Sequence, residues 1–209
     1  MKLIFLGPPG AGKGTLAVLA KEAFHLPHIS TGDIFRSNIK GGTPLGLKVK
    51  KILDSGALVP DETTIEIVQD RLAKADCQAG YLLDGFPRTV TQAQALDGFA
   101  KPEAVINFVL ADDVIVQRLS GRRVCKACGA SFHLQNLPPR QPGVCDNCSG
   151  ELIQRPDDAP EAIQERLRVY KAQTEPLIAF YRQKGLLKDI DASPAPESVL
   201  AALKKALNV

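Results

Sequence analysis

The chain has no tryptophan and one methionine, and aromatic residues make up only 5% of its 209 positions. So few flat rings leave no platform on which a single-stranded nucleic acid could stack its bases. Charge of one sign is also missing. Lys plus Arg number 26 and Asp plus Glu 23, a formal net charge of +3, so no overall field draws the protein to a polyanion or a membrane surface. Any anion site must be local. The opening apolar run, Lys2-Leu-Ile-Phe-Leu6, is far too short for a signal-peptide core, and no stretch reaches the roughly 20 apolar residues of a membrane span. No heptad repeat or long exposed strand asks for a partner chain. A cytoplasmic monomer with neither nucleic acid nor membrane as a partner is expected. Five cysteines are an odd set for a disulfide framework, and a reducing compartment disfavours one.

What is present is 44% hydrophobic residues, enough for one good core with small insertions. The run at Lys2 ends at a glycine, as a buried parallel strand does, and residues 14–24 then carry apolar side chains at helical spacing. Further strand candidates lie at 81–83, 104–110 and 187–190, with a weaker fifth at 28–30, each set apart from the next by a helical pattern. Alternation of this kind predicts an α/β fold with a five-stranded parallel sheet, helices on both faces and ligands at the carboxyl ends of the strands. It fails in two places. Residues 31–60 hold two short helical patterns, 33–40 and 45–53, and no strand, with Asp33 a candidate N-cap. Residues 121–156 hold four cysteines and many Pro-Pro, Pro-Gly and Ser-Gly breaks, reading as loop and hairpin. Asp158, then Pro160 and Glu161, predicts the start of a helix to Tyr181, broken or kinked by Pro176, and a last helix spans 198–207.

Two motifs carry chemistry. Gly7-Pro-Pro-Gly-Ala-Gly-Lys-Gly-Thr15 follows a strand and opens a helix, as a phosphate-binding loop must; it departs from G-x-x-x-x-G-K-[ST] only by Gly14, which delays the threonine. Glycines let backbone amides converge on phosphate, the helix N-terminus adds partial positive charge, and Lys13 reaches the outer phosphates. Cys125-x-x-Cys128 and Cys145-x-x-Cys148 enclose sixteen residues, within the spacing of a closed, tetrahedral Cys₄ zinc site that would hold together a segment too small for a core. His133 is a rival ligand, and iron or cobalt would also suit four thiolates. Cys77, alone, reads as a small core residue.

Gly-Lys-Gly-Thr is the form seen in nucleoside monophosphate kinases. Ser30-Thr-Gly-Asp33, Leu83-Asp-Gly-Phe-Pro-Arg88 with Gln92, Gly121-Arg-Arg123, and Arg155-x-Asp-Asp158 with Arg166 are similar, in identity and order, to the motifs of adenylate kinases. Over residues 1–191 the chain resembles that family in its long, zinc-lidded form; Leu16, where the family commonly has glutamine, is one departure. The resemblance implies a P-loop core at 1–29, 60–121 and 159–209, an AMP-binding insertion at 30–59 and a zinc-binding lid at 122–158. It implies ATP contacts from Gly10, Ala11, Gly12, Lys13, Gly14, Thr15, Arg118, Arg122, Ser131, Phe132 and the backbone near Pro194. AMP would meet Thr31, Arg36, Ala57, Leu58, Val59, Gly85, Phe86, Pro87, Arg88 and Gln92, and Arg155 and Arg166 would bridge the transferring phosphate.

The implied reaction is Mg-ATP + AMP ⇌ 2 ADP, and it explains why the sequence offers no convincing general base. AMP's own phosphate, with a second pKa of roughly 6, is already largely dianionic at neutral pH. What it needs is neutralisation of charge, for which Lys13, Arg36, Arg88, Arg122, Arg155, Arg166 and Mg²⁺ are the candidates. Asp84 would orient magnesium-bound water or a neighbouring phosphate ligand, or else pair with one of the arginines. Two other readings stand beside this one: a kinase for UMP, CMP or GMP, and a zinc-ribbon nucleotide switch that binds nucleic acid.

Overall fold

The computed structural model describes residues 1–209. Its centre is β1 (Lys2–Leu6), flanked in a parallel sheet by β3 (Tyr81–Asp84) and β4 (Ala104–Val109), with β2 (His28–Ser30) and β8 (Leu187–Asp191) at the edges. The order is β2-β3-β1-β4-β8. Successive side chains of a strand point to opposite faces, and each face has its own core. Leu3, Phe5, Leu82 and Ile106 pack with Leu16 and Ala20 of α1 (Lys13–Phe24) and Leu203 of α9 (Pro196–Leu207). On the other face Ile4, Leu83 and Val105 pack with Val68 of α4 (Asp61–Leu72), Leu96 of α5 (Val90–Phe99) and Leu177 of α8 (Pro176–Gln183). Covered on both sides, β1 is apolar throughout its buried length, which is why it reads as a continuous run rather than an alternating one. Leu16 lies in the first of these cores, 2% exposed, and Cys77 in the second.

The chain leaves β1 for β2 on one side and later returns for β4 on the other, so the order reverses beside β1. That reversal opens a crevice at the carboxyl ends of the strands. Register puts Phe5, Asp84 and Ser30 in one row along that edge. Two structures stand over it. α2 (Thr31–Lys40) and α3 (Pro44–Asp54) share a small cluster of Phe35, Val49 and Val59. Between α6 (Asp112–Ser120) and α7 (Pro160–Val169) lies an antiparallel sheet of β5 (Arg122–Cys125), β6 (Ser131–His133) and β7 (Leu152–Ile153), ordered β6-β5-β7, whose only core is Phe132 with Cys125 and Cys145.

Helix caps differ from the sequence expectation in two places, and α9 begins at Pro196 rather than at residue 198, the proline taking the first helical turn. Ser30, not Asp33, caps α2: its Oγ accepts from Asp33 N at 3.2 Å, which leaves the Asp33 carboxylate for Arg36. Ala159, not Asp158, precedes α7, because the Asp158 carboxylate is taken up by two arginines. The expected break at Pro176 is present and takes a particular form. α7 and α8 are joined by a wide π turn, Tyr170–Thr174, in which Glu175 N reaches Tyr170 O at 2.9 Å. Proline lacks an N–H and crowds the preceding turn, and the widened turn relieves both.

Candidate active site

At the end of β1 the chain turns through residues 7–12 onto the N-terminus of α1. Gly10 and Gly12 have φ of +83° and +84°, a conformation that costs other residues dearly. A Cβ on Gly10 would also lie 2.9 Å from Leu119 Cγ and 3.1 Å from Ile115 O on α6. No side chain caps α1, so its first N–H groups are left for an anion. Lys13 Nζ donates to the carbonyls of Gly7 and Pro8, both at 2.7 Å. Burial lowers its pKa to about 8, with Arg88, Arg166 and Arg122 adding to the fall and Asp84 opposing it. Asp84 closes β3 with a largely buried carboxylate 3.6 Å from His28 Nε2. Burial pushes its pKa up, but the nearby His28 ring and the charges of Lys13 and Arg88 outweigh that and leave it lowered. No arginine pairs with it directly, so that alternative reading of Asp84 is set aside.

Beyond Lys13 the crevice is crowded with guanidinium groups. Arg122, from β5, grips Asp158 through Nε at 2.8 Å and Nη2 at 2.5 Å; Arg166, from α7, reaches the same carboxylate at 3.0 Å and Asp157 at 2.9 Å. Asp158 is fully buried. Arg36 pairs with Asp33 at 2.5 Å, and Arg88 Nε donates to Gly85 O at 2.8 Å. Arg155 has a buried Nε with no partner. Burial, with Arg36 and Arg122 nearby, lowers its pKa to about 9, and burial with Arg166 lowers that of Arg88 to about 10. Lys13, Arg36, Arg88, Arg122, Arg155 and Arg166 face the carboxylates of Asp33, Asp84, Asp157 and Asp158, which leaves two cations in excess. An arginine remains charged at neutral pH even so. Partly buried cations crowded together without enough counter-charge call for an external anion with several oxygens.

A cleft runs from this cluster between α2, α3 and α5. Thr31, Ala57, Leu58, Val59, Gly85, Arg88 and Gln92 line it. Gly85 has φ +79°, and a Cβ there would come within 2.9 Å of Arg88 Nη2 and 3.0 Å of Thr31 Oγ1, so glycine is needed for arginine and threonine to meet over its backbone. Thr31 Oγ1 donates to Gly85 O at 2.8 Å. Phe86 and Pro87 are buried, the phenyl ring within the sheet's core, so Phe86 presents backbone rather than ring at this edge. On the other side of the phosphate loop, Arg118 donates to Ala192 O at 2.9 Å and Ser193 O at 3.0 Å, which ties it to the loop that carries Pro194. Ser131 is exposed, while the Phe132 ring is packed in the lid's own core.

The four paired cysteines meet at one end of the small sheet. Their Sγ atoms all lie within 4.8 Å of one another, with Cys125–Cys148 at 3.4 Å and Cys128–Cys145 at 3.6 Å. Tetrahedral thiolates at a zinc bond length of about 2.3 Å would sit about 3.8 Å apart, close to the spacing of the four sulfurs. His133 is no part of the group: its Nδ1 accepts from Gln135 N and Asn136 N, both at 3.0 Å, and so holds a turn. Over the cleft, Lys40 at the end of α2 donates to the carbonyls of Lys126 and Ala127 in the first cysteine knuckle, at 3.4 and 3.3 Å.

With this geometry in view, comparison with known proteins is decisive. The sequence model of the family described as Adenylate kinase matches residues 5–186. The chain belongs to the adenylate kinase family. It is 56% identical over 204 residues to the adenylate kinase of Treponema denticola, covering 98% of each chain. It is 51% identical over 212 residues to that of Clostridium tetani, covering 99% of this chain and 98% of the relative. With that of Caldicellulosiruptor bescii the identity is 57% over 192 residues, 90% of this chain and 89% of the relative.

For an adenylate kinase family member, one residue around the crevice has a role other than its sequence suggests, and two more have roles that the sequence does not mark. Asp158, whose place before Pro160 suggests a helix cap, holds Arg122 and Arg166 together. Thr174, in the π turn, donates to Arg88 O at 2.8 Å across 86 residues of sequence. Asp61 accepts from Gln92 Nε2 at 2.8 Å. An aspartate after Pro60 reads as an ordinary acidic first turn of a helix, and only the packing of α4 beside α5 gives it another partner.

Proposed function

We propose that the protein catalyses reversible transfer of the terminal phosphoryl group of Mg-ATP to the phosphate of AMP, giving two ADP. The observation that carries the reading is the set of six partly buried cations, two in excess, lying between the phosphate loop and the cleft. Two polyanionic substrates must meet there, and their repulsion is the main obstacle to reaction. An oxygen of the AMP phosphate attacks the γ-phosphorus of ATP, the bond from that phosphorus to the β,γ-bridging oxygen breaks, and ADP leaves with that electron pair. No proton need be removed from the nucleophile.

The residue roles follow. The amides of residues 10–15 and Lys13 hold the phosphates of ATP, with Arg118, Ser131, the Phe132 backbone and the loop at Pro194 toward its nucleoside. Thr31, Arg36, residues 57–59 and 85–88 and Gln92 hold AMP. Arg122, Arg155 and Arg166 stabilise the equatorial oxygens in transfer; their planar forks suit two oxygens at once. Magnesium, entering with ATP, neutralises part of the phosphate charge, and the Asp84 carboxylate and Thr15 hydroxyl have the hard oxygen donors it prefers. Residues 30–59 act as the AMP-binding insertion and 122–158 as a lid that excludes water when closed, over a core of 1–29, 60–121 and 159–209. Zinc at Cys125, Cys128, Cys145 and Cys148 is structural, since thiolates fill all four positions. The enzyme works as a cytoplasmic monomer; no helix is long and apolar enough to cross a membrane.

The test is steady-state ADP formation by Arg88→Ala. Its loss should fall on AMP, with KM for AMP raised about tenfold or more and KM for ATP little changed. A loss of ATP affinity with AMP unaffected would contradict the assignment of the two sites.

A further inference from the structure

Gln92 is 1% exposed and sits where the AMP base would meet protein, yet a side-chain amide alone does not distinguish one purine from another. Turned one way it accepts beside a donor; flipped, it donates where it accepted. Its neighbours remove that freedom. Oε1 accepts from the backbone N–H of Arg88 at 2.7 Å, and Nε2 donates to Asp61 Oδ1 at 2.8 Å. A backbone N–H can only donate and a carboxylate offers only acceptors, so the two partners admit a single orientation of the amide. Asp61 is fixed in turn. Its other oxygen accepts from Thr89 Oγ1 at 2.9 Å, and the same Oγ1 caps α5 by accepting from Gln92 N at 3.1 Å.

We infer that Asp61 is a specificity-determining positioning residue, which locks the Gln92 amide so that the cleft accepts a 6-aminopurine monophosphate and refuses a 6-oxopurine one. The inference rests on the reading of the cleft as the AMP site. With one lone pair and one N–H committed, Gln92 keeps one acceptor site and one N–H for the base. Adenine offers a donor at N6 and an acceptor at N1, which match that pair in order; a 6-oxopurine offers an acceptor at O6 and a donor at N1, which match it only after a flip. The monophosphate is anchored at the other end by guanidinium groups, so the base cannot turn end for end to compensate. A flipped amide would set Oε1 against the Asp61 carboxylate and Nε2 against the Arg88 N–H, leaving buried polar groups facing like partners.

The experiment is the ratio of kcat/KM for AMP to that for inosine monophosphate, which carries a 6-oxo group and no 2-amino group, with Mg-ATP as donor. It is measured for wild type, Asp61→Ala, Asp61→Asn and Gln92→Ala, and for Asp61→Ala combined with Gln92→Ala. Asp61→Ala should lower the ratio by about tenfold or more, mainly through KM for the monophosphate, with KM for ATP unchanged. Asp61→Asn, which keeps the size of the side chain but can turn a donor to Gln92, should lower it by less while keeping the melting temperature. In the Gln92→Ala background, loss of Asp61 should change the ratio no further. If both Asp61 variants lower turnover of the two monophosphates equally, or leave the ratio within about twofold of wild type while Gln92→Ala lowers it, Asp61 does not set specificity. If Gln92→Ala itself leaves the ratio unchanged, Gln92 does not read the base and the inference falls with it, whereas the phosphate roles of Arg88 and Lys13 stand.

Discussion

At the start of α1, Lys13 is largely withdrawn from water near Arg88, Arg166 and Arg122, and its ammonium is held at about pKa 8. The ordinary lysine value is 10.5, so between pH 8 and 10.5 the folded protein binds fewer protons than the unfolded chain, and stability from this group rises with pH through that window. A nucleotide triphosphate reverses the local balance. Its negative charge favours the ammonium form, so binding near pH 8 should take up about half a proton from solution. Calorimetric titration with ATP at pH 8, in two buffers of different ionisation enthalpy, reads that number directly. Lys13→Met should abolish the uptake and cut turnover by about 10³-fold or more, and uptake undiminished in that variant would place the titrating group elsewhere. Sequence legibility at this scale divides along the same lines. Lys13, Arg88 and the cysteines stand in contiguous motifs whose spacing is itself the chemistry, so they are recognisable without a structure. Asp61 and Thr174 act on Gln92 and Arg88 across 31 and 86 residues, and nothing local marks either of them.

Among the elements, the small sheet of β5, β6 and β7 has two tasks that can be pulled apart. Arg122 leaves β5 toward the crevice and meets Asp158, while Cys125, a few residues on in the same strand, turns to the other cysteines. Arg122→Ala should therefore appear in turnover, with kcat reduced about 10²-fold or more and little change in metal content. Cys145→Ser removes one thiolate from a site with almost no core to support it. Its cost should fall on zinc retention and the thermal midpoint, with much of the activity kept at 25 °C. The pair is read by kcat, zinc analysis and thermal melting of both variants. Should Cys145→Ser lose as much kcat as Arg122→Ala while keeping zinc and midpoint, the cysteines would be part of the reaction. Element boundaries show what periodicity can and cannot provide. The strands and main helices were legible because their apolar spacing reports burial. The caps of α2 and α7 are not legible because Asp33 and Asp158 have the right chemistry for a cap, and only the arginines brought near by the fold draw their carboxylates away from the backbone.

For the whole molecule, the parallel sheet and its reversal beside β1 place the phosphate loop, the Asp84–Arg88 turn and the start of α2 at one edge. The remaining cations are brought in from above, by α2 on one side and by β5 and α7 on the other, and the Lys40 contact to the cysteine knuckle joins the two sides over the cleft. That arrangement makes two phosphorylated substrates, not one substrate and water, the natural occupants. The most direct test follows product formation from purified protein with Mg-ATP and, separately, AMP, GMP, CMP and UMP, by chromatographic separation of all nucleotides. The account predicts AMP as the fastest acceptor, with ADP formed in a 2:1 ratio to AMP consumed, the reverse reaction from ADP alone, and negligible phosphate release without an acceptor. Faster turnover of GMP, CMP or UMP than of AMP, or release of inorganic phosphate from ATP at a comparable rate without acceptor, would contradict it.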